Sequence, residues 1–201
     1  MSLLPLFPLE LVLFPDTPLP LHIFEPRYRE MIRECRAAKK PFGIVCATGD
    51  KIAHIGCTAE IVKILEEPSD GRLDILTEGR RRFEVIKVNR ERNFPQADVL
   101  YFEDDGEPAD HAESLRMMEL HEELLQFTTA DVSQPDPHEP QPVFSLAATL
   151  PLDLGFKQAL LSMRSEQERV EAMIQCYETL LPKLRRTMQA RKSSGGNGHV
   201  Q

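Results

Sequence analysis

The chain is predicted to be α+β: a mostly antiparallel β barrel or sandwich with one inserted helix, then an all-α C-terminal third. Three observations lead there. The first thirty residues are apolar but broken by Pro5, Pro8, Pro15, Pro18 and Pro20, which excludes a continuous helix. Ile- and Val-rich runs separated by turn signals follow, up to about residue 102. Beyond Asp104 the apolar residues recur at helical spacing instead.

In the opening run Leu3, Leu4, Leu6, Phe7, Leu9, Leu11, Val12, Leu13 and Phe14 need burial, and the prolines leave only short, edge-type or interrupted strands. Pro26 suits the first position of a helix. Tyr28, Met31, Ile32 and Cys35 then form one apolar stripe, with Arg27, Arg29, Glu30, Arg33 and Glu34 on the wet face. Residues 42–47 and 55–65 read as strands. Pro68-Ser69-Asp70-Gly71 is a turn, so residues 61–65 should return as 72–76 in a hairpin. Gly79 is expected to break the run before a strand over 82–88. In that strand Phe83, Val85 and Val88 face inward, and Arg82, Glu84 and Lys87 outward. A last strand fits 97–102.

Asp110 and Glu113 start a helix in the manner of a capping box. Met117, Leu120, Leu124 and Phe127 form its stripe, with His121 and Glu122 on its polar side. Residues 131–142 hold four prolines and read as a loop. Short helices fit 144–150, stopped by Pro151, and 155–163. Ser165 and Glu168 cap a long amphipathic helix carrying Val170, Met173, Ile174, Tyr177, Leu181 and Leu184, which Pro182 should kink or restart. The expected division is a β subdomain over 1–104, a helical subdomain over 105–190 and a disordered tail over 191–201.

Composition excludes some functions. A net charge of −8 does not attract nucleic acid. The opening run lacks the basic n-region of a signal peptide, and no window resembles a membrane span, so a soluble cytoplasmic chain without membrane contact is expected. Cys35, Cys46, Cys57 and Cys176 form no metal-site spacing and read as reduced thiols. His54 with Cys57 is only half of a metal or nucleophile pair, and His22 reads as a hydrogen-bonded structural residue. Hydrolase, zincin and dinucleotide motifs are absent, and no metal or cofactor is expected.

Leu4-Pro5-Leu6-Phe7-Pro8-Leu9, Val12-Leu13-Phe14-Pro15 and Leu19-Pro20-Leu21-His22-Ile23-Phe24-Glu25-Pro26-Arg27-Tyr28 together resemble the opening of the Lon N-terminal domain, the substrate-recognition domain of ATP-dependent Lon proteases, which is also found in cereblon. Phe42-Gly43-Ile44-Val45, the segment 55–61, Asp70-Gly71-Arg72, Gly79-Arg80-Arg81-Arg82-Phe83 and Lys157-Gln158-Ala159-Leu160-Leu161 extend the resemblance from about Leu3 to Leu184. Asp16-Thr17 depart from it, since the family often has glycine in this turn. The resemblance implies a PUA-like β barrel followed by a helical bundle. No glycine pair has the G-x-x-x-x-G-K-[ST] spacing of the ATPase, so the chain is expected not to be an enzyme.

The implied function is non-catalytic recognition of unfolded polypeptide or of a specific protein partner, a separate protease among them. Phe7, Leu13, Phe14, Phe24, Phe83 and Tyr101 are candidate apolar anchors, some of which must be core. Glu25 and Arg27 are the polar candidates; the plainer reading makes Glu25 a helix cap or ion-pair partner. Two alternatives are an RNA-binding module using Arg80 and Arg82, which would share a strand face, and a small-molecule sensor with a barrel pocket. Homodimerisation stays open.

Overall fold

The computed structural model describes residues 3–49, 51–106, 108–127 and 142–195, with side chains through residue 189. Residues 131–141 of the expected loop and 196–201 of the expected tail lie outside them. In chain order the elements are β1 (Leu4–Leu9), β2 (Pro18–Ile23), α1 (Pro26–Ala38), β3 (Phe42–Thr48), β4 (Lys51–Glu66), β5 (Leu73–Asn89), β6 (Gln96–Tyr101), α2 (His111–Leu125), α3 (Pro142–Thr149), α4 (Leu154–Ser162) and α5 (Glu166–Gly195). The chain divides into two compact units. The first comprises Met1–Asp104 with Phe144–Met163, and the second Asp105–Val143 with Arg164–Gln201. The helical stretch over 144–163 therefore groups with the strands.

In the first unit the strand order is β2-β5-β4-β3-β1-β6, and β6 also pairs with β5. The sheet is mixed, because β1 runs parallel to β3 while the other pairs are antiparallel. The prolines predict short, edge-type or interrupted strands. Both β1 and β2 are short, at six residues each; β2 pairs only with β5, whereas β1 lies between β3 and β6. It is tolerated there because its ladders barely overlap. β1 meets β6 at Leu4 and Pro5, and β3 over Leu6–Leu9. A residue paired on one side can lack a donor on the other.

Leu4, Leu6, Val45, Phe83, Val85 and Ala97 form a core cluster. Helix α1 starts at Pro26 and buries Tyr28, Met31, Ile32 and Cys35, the stripe read from sequence. Glu25 makes no side-chain cap; it pairs with Arg27 at 2.8 Å instead. The hairpin closes as expected, with Ile64 opposite Ile75 and Ile61 opposite Thr77.

Two expectations about β5 fail. Gly79 does not break the strand. It lets the preceding loop pass: a Cβ there would lie 1.9 Å from the Phe14 carbonyl oxygen. The Gly79 N–H donates to Thr17 O at 3.0 Å, and Asp16 N–H donates to Gly79 O at 2.9 Å. Nor does Arg82 face outward, since it is buried beside Phe83. Between the pairs Ala59↔Gly79 and Cys57↔Arg82, β5 spends one more residue than β4. This bulge shifts the alternation by one. Phe144 of α3 stacks on Phe14 at 5.2 Å, and Gln158 of α4 donates to Ile55 O at 3.0 Å.

In the second unit Asp110 caps α2 by accepting from the N–H groups of Ala112 and Glu113. Met117 and Leu124 are buried, but Leu120 is only half-buried and Phe127 lies past the helix end. His121, placed on the polar side by the sequence reading, is buried against Tyr177 of α5, with Nδ1 2.9 Å from the hydroxyl. Desolvation holds its pKa below the usual histidine value. Helix α5 begins at the Ser165 cap and runs through Pro182 without restarting, and its backbone stays helical to Gly195, inside the expected tail.

Candidate functional site

The first unit holds a groove of about 770 Å³. It is lined on the β6 side by Asp98, Val99, Leu100 and Tyr101 and on the α1 side by Glu34, Cys35 and Ala38, with Leu3, Leu4, Pro5, Lys40 and Pro41 completing the lining. Local register explains why the wall is apolar. Val85 pairs with Val99 and Lys87 with Asp98, leaving Ile86 as the extra residue of a second bulge in β5. Its side chain is turned out into the groove and is 60 % exposed. Leu100 is 56 % exposed beside it. Antiparallel pairing of β1 with β6 ends at Leu4↔Ala97, so among the described residues the edge of β6 beyond Ala97 faces the groove without a neighbouring strand.

The charges around this wall are largely engaged. Arg92 contacts Glu34 at 2.5 Å and Glu30 at 3.1 Å. Hydrogen bonding to Arg92 holds the Glu34 carboxyl below its ordinary pKa, and the same contacts raise that of Arg92. The Arg81 guanidinium sits 4.5 Å over the Tyr101 ring. A second hollow of about 430 Å³ shares Cys35, Lys40 and Pro41 with the first and continues along Arg36, Lys39, Val62 and Lys63.

The sequence candidates separate by burial. Phe7, Leu13, Phe14 and Phe83 are buried in the core, with Phe7 4.2 Å from the Tyr28 ring. Phe24 is 58 % exposed and stacks with His22, whose Nδ1 lies 2.5 Å from Asp74. Glu25 and Arg27 pair with each other on the surface. None of these lines the groove; Tyr101 does. The residues the sequence reading missed are Ile86 and Leu100. Their signal was an apolar side chain where strand alternation called for a polar one: Ile86 between Val85 and Lys87, Leu100 between Val99 and Tyr101.

The arginine pair does not form a common face. Arg80 is held by Glu60 and Glu78, each at 3.0 Å. Arg82 donates to Leu161 O at 3.2 Å and Met163 O at 2.5 Å, pairs with Asp104, and packs on the rings of Phe102 and Phe144. Among the described residues no cluster of three His, Cys, Asp or Glu is placed to hold a metal. Cys57 is fully buried and its thiol is pushed up to about 12, so it is no thiolate at neutral pH. No described helix is long and apolar enough to cross a membrane.

The chain is similar to known proteins over most of its length. Lon protease 1 of Hydrogenovibrio crunogenus is 26% identical over 189 residues, which are 85% of this chain and 23% of that protein. The Lon protease of Parabacteroides distasonis is 32% identical over 110 residues, 50% of this chain and 13% of its own length. The chain thus spans less than a quarter of the length of these relatives. Among solved structures, a Lon N-terminal domain protein from Xanthomonas campestris superposes with a TM-score of 0.69 at 27% identity, covering 87% of this chain and 98% of that one. The N-terminal domain of Mycobacterium avium complex Lon protease shares the fold with the same TM-score at 16% identity. With the family pattern running over residues 3–177, this chain belongs to the ATP-dependent protease La (LON) substrate-binding domain family.

Proposed function

We propose that the chain is a non-catalytic polypeptide-recognition module, and that the groove beside β6 is where an extended apolar segment docks. The observation that carries this reading is the exposure of Ile86 and Leu100 on one wall of a groove large enough for several side chains. Exposed apolar surface gathered in a concavity with a charged rim is the composition of a docking site. We take the return of β6 to β5 as closure of a PUA-like barrel, which would hold that wall rigid. Residues 1–104 with 144–163 are then the recognising domain. Unfolded clients, or a separate protease that receives them, are the partners in view, in the cytoplasm. Homodimerisation would be a separate property.

The test is titration of a fluorescent, permanently unfolded polypeptide into the whole chain. The Ile86→Asp/Leu100→Asp variant is expected to lose at least about ten-fold in affinity while keeping the wild-type melting curve. Wild-type binding by that variant, or no binding by the wild type, would refute the reading. A small-molecule site is the second reading, because about 770 Å³ lies within the usual range of ligand pockets. A co-purified ligand in native mass spectra would favour it. The RNA reading loses its support from Arg80 and Arg82, whose guanidinium groups are engaged by carboxylates.

A further inference from the structure

We infer that the polypeptide recognised in this groove is an apolar segment flanked on one side by acidic residues, with the acidic flank lying toward Lys40. This rests on the docking reading above and narrows its substrate class. The two hollows share Cys35, Lys40 and Pro41, so a segment that runs past these residues out of the apolar groove enters the second hollow. The charges there are not balanced. Arg36 is paired with Glu67 at 3.0 Å, and Glu60, the acid of the second hollow, is taken by Arg80 at 3.0 Å. Lys39, Lys40 and Lys63 are exposed and make no ion pair among the described residues. Glu34, on the apolar side, is likewise spent on Arg92. What remains is three uncommitted ammonium groups around one exit. At the β6 wall, by contrast, the acid is Asp98, opposite Lys87 in the ladder.

This local excess is set in a chain of net charge −8, so it cannot act by long-range attraction. At about 0.1 M salt the screening length is about 10 Å, and the lysines read only charges placed beside them by a docked apolar anchor. Recognition is then two-part: apolar contact with Ile86 and Leu100 gives affinity, and the lysines select which flank accompanies it.

The experiment compares three labelled peptides that share one extended apolar core and carry an acidic, a neutral or a basic flank. Each is titrated into the whole chain by fluorescence anisotropy. The acidic-flanked peptide is expected to bind about ten-fold more tightly than the basic-flanked one at low salt, since each exposed pair contributes only modestly. That preference should shrink at high salt. Lys39→Glu/Lys63→Glu, two positions that line the second hollow and not the apolar groove, should abolish or reverse it, with the neutral peptide held within about two-fold as proof that the groove is intact. Equal affinity for all three peptides overturns the inference and leaves the docking reading standing. Failure of every peptide to bind overturns the docking reading and the inference with it.

Discussion

Two bulges in the same strand have opposite outcomes. Near Gly79 the extra residue of β5 turns Arg82 inward, where two carbonyls, Asp104 and two aromatic rings receive it. The Arg81 N–H is taken up by Thr58 Oγ1 at 2.9 Å. At Ile86 the extra residue turns an apolar side chain outward, and an open groove receives it. Val62 and Leu65, the other large exposed aliphatics of the hairpin, are also extra residues at register shifts, here in β4. A bulge re-aims a side chain without regard to its polarity. Whether the result is a buried cation or an exposed aliphatic depends on what stands opposite.

The comparison can be broken most severely at Arg82. Arg82→Met should cost about 3–5 kcal/mol, because it strands a mostly buried carboxylate and two carbonyl oxygens. Urea denaturation of the two proteins measures it, and a loss under about 1 kcal/mol would show the clamp to be dispensable. Arg82→Lys keeps the charge but not the fork, and should fall between them.

Gly79→Ala comes next, at about 1–3 kcal/mol, since its Cβ meets Phe14 backbone that cannot swing aside. An unchanged denaturation midpoint would mean that the loop yields freely.

The second unit sharpens the contrast by pH. Burial depresses the His121 pKa, so the unfolded chain binds the proton more readily than the folded one. Its contribution is complete above pH of about 6.5 and declines as pH falls through the lower folded value, by at most about 1.4 kcal/mol per pH unit. Comparing denaturation at pH 7.5 and 5.5 tests this. Replacing His121 with Gln should flatten the difference, and an equally steep loss in that variant would place the acid sensitivity elsewhere.

Least is expected at the outward bulge. Ile86→Ser should change stability by under about 0.5 kcal/mol while weakening polypeptide binding. A large stability loss would make Ile86 a packing residue and not an anchor.

Much of this was legible beforehand for local reasons. The stripe of α1 follows from helical spacing after Pro26, the hairpin from Pro68–Gly71, and the caps at Asp110 and Ser165 from side chains that accept nearby backbone N–H groups. Of the site, Tyr101 was named and its apolar neighbours were not. Plain strand alternation puts Arg80 and Arg82 on one face, which the bulge near Gly79 undoes, and nothing local gives Ile86 a role.

The sequence by itself determined the kinds of element, their order and the family, because periodicity, proline and capping act within a few residues. Only the tertiary structure decided that β1 lies between two strands, that His121 is inside, and which of the arginines and aliphatics along β5 are buried. Those outcomes depend on register between segments far apart in the chain, and one inserted residue exchanges the faces of everything beyond it.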